Sequence, residues 1–174
     1  MIRKAVSDIF TKAKRSEVMS RIGARDTGPE RSVRSMLHRM GYRFRLYGAD
    51  LPGKPDIVLP RFRTAIFVNG CFWHRHKGCR FAYTPKSRTR FWIEKLESNV
   101  MRDRRVNRGL VKLDWHVVTV WECELRAPDR LSKRLEVKLN ERHQMRKSHL
   151  AGRKRTLGHS KSAPRVETGG KSKK

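Results

Sequence analysis

The stretch that decides the fold is Leu51–Gly70, LPGKPDIVLPRFRTAIFVNG. It holds two short apolar runs, Asp56–Leu59 and Thr64–Val68, separated only by Pro60-Arg61-Phe62-Arg63. Two such runs joined by a short turn-rich connection predict an antiparallel hairpin, and their apolar character places it at the centre of a sheet. Asp56 is the only acid in the stretch and stands at the head of the first strand.

Working outward toward the N-terminus, Pro52-Gly53 marks a turn, and before it Tyr42, Phe44 and Leu46 alternate with Arg43 and Arg45, which predicts a half-buried strand. Thr27-Gly28-Pro29-Glu30 has the form of a helix start: a Thr cap, an early Pro and a Glu that completes a capping box. Val33, Met36, Leu37 and Met40 follow at helical spacing and Gly41 ends the run, so a helix is expected over 28–40.

Downstream lies an irregular segment rich in Cys, His, Arg and Gly. A long polar helix is expected over 89–111, with Ile93, Leu96, Val100 and Leu110 inward, then a strand over 115–120 whose Trp115 and neighbouring Trp121 are expected in the core. A last helix begins near Pro128 and carries Leu131, Leu135 and Leu139 on one face. The order predicts a small α/β domain with a mixed sheet flanked by helices.

The chain has 174 residues, with 43 Lys and Arg against 16 Asp and Glu, a formal charge of +27. Such a balance seeks a polyanion. Residues 141–174 hold 11 basic and 2 acidic residues with few large apolar ones, which predicts a basic disordered tail. The remaining 140 residues still carry +18, so the folded part is itself basic. The expected organisation is a basic arm over 1–22, a domain over 23–140 and the tail over 141–174. No apolar stretch approaches the roughly 20 residues that span a bilayer. With no signal-like segment at its start, the chain is expected to be cytoplasmic, with its three cysteines reduced.

Those cysteines are better explained by a metal. CFWHRHKGC, residues 71–79, puts two Cys and two His within nine positions, and Cys123 follows the last strand in WECEL. Cys71, His76, Cys79 and Cys123 form a Cys3His set suited to a closed, structural zinc site. Buried thiols beside surface histidines would give the same letters. His74 is left over from that set, on a loop the cluster would hold, and its imidazole can move protons near neutral pH; alone, it would equally be an idle surface histidine. Asp56 would bring a magnesium ion to a phosphodiester, or merely end the turn after Pro55. Phe72, Trp73 and Trp92 stand among Arg and Lys, a setting suited to stacking on bases or wedging between base steps, as well as to packing on the zinc site.

Taken in order, SEVMSRIGARDTGPE, LPGKPDIV, VNGCFWHRHKGC, RTRFWIEKLESNVMRDRR and VWECELR closely resemble the very short patch repair (Vsr) endonucleases, over about Ser16 to Arg126. The resemblance implies a restriction-endonuclease-like fold. It also implies a DNA repair enzyme that uses magnesium to nick duplex DNA 5′ to the thymine of a T:G mismatch, the product of 5-methylcytosine deamination. On the matching positions it implies Asp56 as the magnesium ligand, with the Val68 carbonyl beside it. It implies His74 as water activator or phosphate partner, and Glu30 as orienter of that histidine or of a metal-bound water. The same four zinc ligands follow. Phe72, Trp73 and Trp92 become the wedge, and Met19 part of a DNA-contacting arm. A monomer is implied, with mismatch-repair proteins as candidate partners.

Two positions depart from the family's pattern. Asn69 stands where the family has a second histidine, and Val68 where it has a threonine. Val68 keeps the main-chain carbonyl. Asn69 can hydrogen-bond phosphate but cannot exchange a proton at neutral pH, which shifts the load to His74. The carboxylate-x-lysine that related nucleases carry on the next strand is also missing, so His74 would take over the lysine's electrostatic role. Two further readings remain open at this point: a non-catalytic, zinc-stabilised DNA-binding protein, and a restriction-type endonuclease that cuts both strands.

Overall fold

The computed structural model describes residues 25–158, together with Lys14 and Glu17. Met19 and almost all of the proposed arm lie outside the described residues, as do residues 159–174. Within 25–158 the order is α1 (Gly28–Arg39), β1 (Arg45–Leu46), β2 (Ile57–Leu59), β3 (Thr64–Asn69), α2 (Thr89–Lys112), β4 (His116–Trp121) and α3 (Pro128–Gly158). Short 3-10 turns at Pro60–Phe62 and Glu122–Arg126 follow β2 and β4.

The four strands form one sheet in the order β1-β2-β3-β4. β2 and β3 are the expected hairpin, with Ile57 opposite Ile66 and Leu59 opposite Thr64. α2 supplies the crossover that lets β4 lie parallel to β3, in a register that runs from Thr64 opposite His116 to Asn69 opposite Trp121. Strand alternation then divides the core between the two faces. On one face Ile57, Leu59, Ile66, Val118 and Val120 pack against Val33 and Leu37 of α1 and Leu131, Leu135 and Leu139 of α3. On the other, Val58 and Ala65 meet Leu51 and Leu110. The result is a mixed sheet between two helices on one side and one on the other.

α1 starts as its sequence requires. The Thr27 hydroxyl accepts from the Glu30 N–H, and the Glu30 carboxylate reaches back to the Thr27 N–H. β1 is shorter than the alternation over 42–46 predicts. Only Arg45 and Leu46 pair, with Val58 and Ile57, and both are exposed. The ladder stops short of Leu59, the third residue of β2, although Tyr42 and Phe44 still lean on the core.

In α2 the inward stripe is Trp92, Leu96, Asn99, Asp103, Val106 and Leu110, at alternating steps of four and three; Ile93, one position off that stripe, is 37% exposed. α3 runs on without a break to Gly158, past the point at 140 where the tail was expected to begin. Arg142 caps its passage by donating to the Asp114 carbonyl at 2.9 Å and carboxylate at 2.8 Å, and the His143 ring lies 5.3 Å from that of Phe62. Among the described residues, no helix is long and apolar enough to cross a membrane.

Candidate active site and metal centre

The antiparallel hairpin brings the start of β2 beside the end of β3. Asp56 therefore lies next to Val68, whose N–H donates to Asp56 Oδ2 at 2.8 Å. The turn before Asp56 is held against α2 by Gly53. Its φ is +74°, and a Cβ there would lie 2.3 Å from Val106 Cγ1, so no other residue fits without displacement. A cleft of about 530 Å3 opens at this end of the sheet, and Glu30, Asp56, Val68, Asn69, His74 and Asp103 all line it. All the catalytic candidates thus meet in one place, joined by an acid that the sequence reading did not single out. Burial pushes the Asp56 carboxyl up to about 6, with the negative charge of Glu30 adding to the rise and the Val68 N–H opposing it.

His74 is clamped from α2. Its Nδ1 lies 2.5 Å from Asp103 Oδ2, while Asn99, one helical turn earlier, donates from Nδ2 to the Trp73 carbonyl at 3.1 Å. A carboxylate can only accept, so Nδ1 is the donor in this pair, and in the neutral ring the lone pair then lies on Nε2. Glu30, expected to orient that histidine or a metal-bound water, makes no hydrogen bond to His74 among the described residues. Glu30, only 4% exposed, is spent on the start of α1. It accepts from the Asp26 N–H at 3.1 Å and the Thr27 hydroxyl at 2.9 Å, and it pairs with Arg34 at 2.6 Å. Arg34 also donates to the Tyr47 hydroxyl at 3.0 Å, which ties α1 to β1.

Asp103 left one trace in the sequence. It is an acid on the inward stripe of α2, flanked by Arg102, Arg104 and Arg105, where a solvated acid would sit on the outer face.

Cys71, His76, Cys79 and Cys123 come together with their ligand atoms all within 4.8 Å of one another. Cys71 and Cys123 Sγ lie 3.6 and 3.4 Å from His76 Nδ1. Donors about 2.3 Å from a tetrahedral metal are separated by somewhat under 4 Å, so the donor set fits a soft ion such as zinc. Burial pushes the Cys71 thiol up to about 12, whereas the Phe81 N–H holds Cys79 below its usual range. A cation in their midst is what would favour all three thiolates. Trp121, expected in the core, is half-buried and stacks flat on His76, with centroids 4.1 Å apart and planes 5° from parallel. Trp115 is also half-buried, under the Arg63 guanidinium at 5.3 Å.

Beside the cleft, Phe72, Trp73 and Trp92 form one aromatic group. Phe72 lies 5.1 Å from Trp73 and 5.4 Å from Trp92, and the two Trp rings are 6.0 Å apart. Two more rings extend it outward, Tyr83 at 5.3 Å from Phe72 and Phe91 at 5.4 Å from Trp92.

Comparison with known proteins places the chain in a family. The family model for DNA mismatch endonuclease Vsr matches residues 7–80. The chain is 46% identical over 130 residues to the type II nicking enzyme V.XorIIP of Xanthomonas oryzae pv. oryzae, covering 75% of this chain and 95% of that one. It is 45% identical over 127 residues to the DNA mismatch endonuclease Vsr of Escherichia coli, covering 73% and 81%. With the type II nicking enzyme V.NmeAIP of Neisseria meningitidis it shares 45% identity over 121 residues, 70% of this chain and 86% of that one. These relatives are DNA-cleaving enzymes, which decides against a binding protein without chemistry. The chain belongs to the DNA mismatch endonuclease Vsr family and is a DNA endonuclease.

Proposed function

We propose that the enzyme nicks one strand of duplex DNA on the 5′ side of the thymine of a T:G mismatch, by magnesium-dependent hydrolysis. The observation that carries this reading is the meeting of Asp56, Asn69 and the Asp103-bound His74 in one cleft whose rim is an aromatic group. The match to an enzyme named DNA mismatch endonuclease Vsr supports the choice of substrate.

Asp56 and the Val68 carbonyl would hold the magnesium, and a half-buried carboxylate pushed up by burial is a group that gains from a cation beside it. When bound, the ion supplies Lewis-acid polarisation of the scissile phosphate. His74 takes the proton of the attacking water at Nε2, because Asp103 holds the tautomer that leaves that nitrogen free. The Asn69 amide donates to a phosphate oxygen and exchanges no proton. Glu30 keeps α1 and Arg34 in place and sets a negative charge near Asp56.

The thiolate and imidazole cluster holds zinc and fixes the segment from Cys71 to Cys79, hence Phe72, Trp73 and His74, relative to the end of β4. Phe72, Trp73 and Trp92 enter the base stack beside the mismatch, where a mispair opens more cheaply than a matched step. The large positive charge holds the duplex through its phosphates, and one chain suffices for one nick.

A supercoiled plasmid carrying a single T:G pair tests the reading. With magnesium the protein converts it to the open-circular form, leaves the T:A plasmid intact, and loses this activity in Asp56→Ala and His74→Ala. Linear product from the T:A plasmid would instead identify a restriction-type enzyme.

A further inference from the structure

The loop between the metal cluster and α2 carries two aromatic residues that are treated in opposite ways. Phe81 lies between two guanidiniums, Arg80 at 4.8 Å and Arg126 at 4.5 Å from its ring. Tyr83 is 63% exposed, with Phe72 its only ring neighbour among the described residues. Its hydroxyl makes no hydrogen bond among the described residues.

This exposed ring is nevertheless held in place. On one side the Ala82 N–H donates to the carbonyl of the metal-cluster residue Cys79 at 3.0 Å. On the other, Arg75 donates to the Thr84 hydroxyl at 3.3 Å. An exposed ring that is held on a braced loop and packs on a neighbouring aromatic group leaves one face open to a flat ligand. What surrounds it selects the ligand. The ring joins the Phe72–Trp92 group, whose Phe72 is not part of the cleft's own lining, on a loop whose sequence also carries Arg80 and Arg88. A flat, amphipathic ring beside other stacking rings and cations suits a nucleobase flanked by its phosphates.

We propose that Tyr83 is a base-contacting residue that extends the Phe72–Trp73–Trp92 wedge by stacking its ring on a nucleobase next to the mismatch. The inference rests on the mismatch reading above and adds to it a fourth stacking position, outside the cleft. The phenol ring carries the contact, so Tyr83→Phe preserves it and Tyr83→Ala abolishes it.

The test uses the full chain, a duplex with one T:G pair and its T:A counterpart, and 2-aminopurine beside the thymine, whose emission reports its stacking. Tyr83→Ala should weaken binding to the T:G duplex about tenfold, with a much smaller loss on the T:A duplex. It should also reduce the emission change on binding, while leaving the melting temperature unmoved because the side chain is exposed. Tyr83→Phe should behave like the native chain in all three. If the native chain prefers T:G and Tyr83→Ala matches it within twofold in affinity and emission, this assignment is overturned alone. If the native chain shows no preference for T:G, the mismatch reading falls and this assignment with it.

Discussion

Asp103 Oδ2 lies 2.5 Å from His74 Nδ1, which fixes the tautomer of the cleft's histidine from a helix on the opposite side of the sheet from α1. Without that carboxylate the ring is free to carry its proton on either nitrogen. Asp103→Asn should therefore lower kcat by about 10^2- to 10^4-fold, in line with the loss of such an orienting acid elsewhere. Affinity for DNA should stay within a few fold. Single-turnover cleavage beside equilibrium binding separates the two, and equal losses in both would refute the orienting role.

Asp56, the proposed magnesium ligand, carries a stability cost. Its carboxyl titrates at about 6 in the fold, above the ordinary carboxylate range of about 4, so burial disfavours the charged form. In magnesium-free buffer the folded state binds the proton more tightly than the unfolded chain, and this site's contribution to stability rises as pH falls from about 6 to 4. Asp56→Asn mimics the neutral form and should stabilise the metal-free protein by roughly 1–2 kcal/mol at pH 7.5 while abolishing cleavage. Thermal melts of both proteins across pH check the sign.

In the proposed mechanism magnesium has to compete with the same proton. At limiting magnesium, cleavage should decline as pH falls through about 6, and higher magnesium should move that limb to lower pH. A limb that ignores magnesium concentration would place its origin on another group.

The metal cluster should behave as part of the fold. One zinc per chain is expected by elemental analysis, and Cys123→Ser or a strong chelator should lower both the melting temperature and activity, since the cluster joins the Cys71–Cys79 segment to the end of β4. Full activity in zinc-free protein would contradict that role.

Gly53 offers a purely steric test. Gly53→Ala should cost about 1–3 kcal/mol, from a left-handed φ and a 2.3 Å approach to Val106. Val106→Ala in the same chain should recover part of the loss, which denaturant titration of the double-mutant cycle would detect.

Much of this architecture was legible because its signals are local. The capping box of Thr27 and Glu30, the paired runs around Pro60–Arg63 and the Leu131, Leu135 and Leu139 stripe each report on their own neighbourhood. The Cys/His cluster was legible through chemistry, three of its four residues lying within nine positions. What escaped depends on distant partners. β1 pairs over only two residues, and α3 continues past residue 140 with a contact to Asp114 that composition cannot reveal. The partner of His74 lies 29 positions away, and choosing Asp103 over Glu30 required knowing that Arg34 and Thr27 already occupy Glu30.

The most direct test of the central claim maps the cut. A duplex with one T:G pair, end-labelled on either strand in turn, is incubated with protein and magnesium, and the products are sized to the nucleotide. The account predicts a single break in the thymine strand, immediately 5′ to the mismatched thymine, with the guanine strand intact and no product from the T:A duplex. Cuts in both strands, or equal cutting of the T:A duplex, would contradict it.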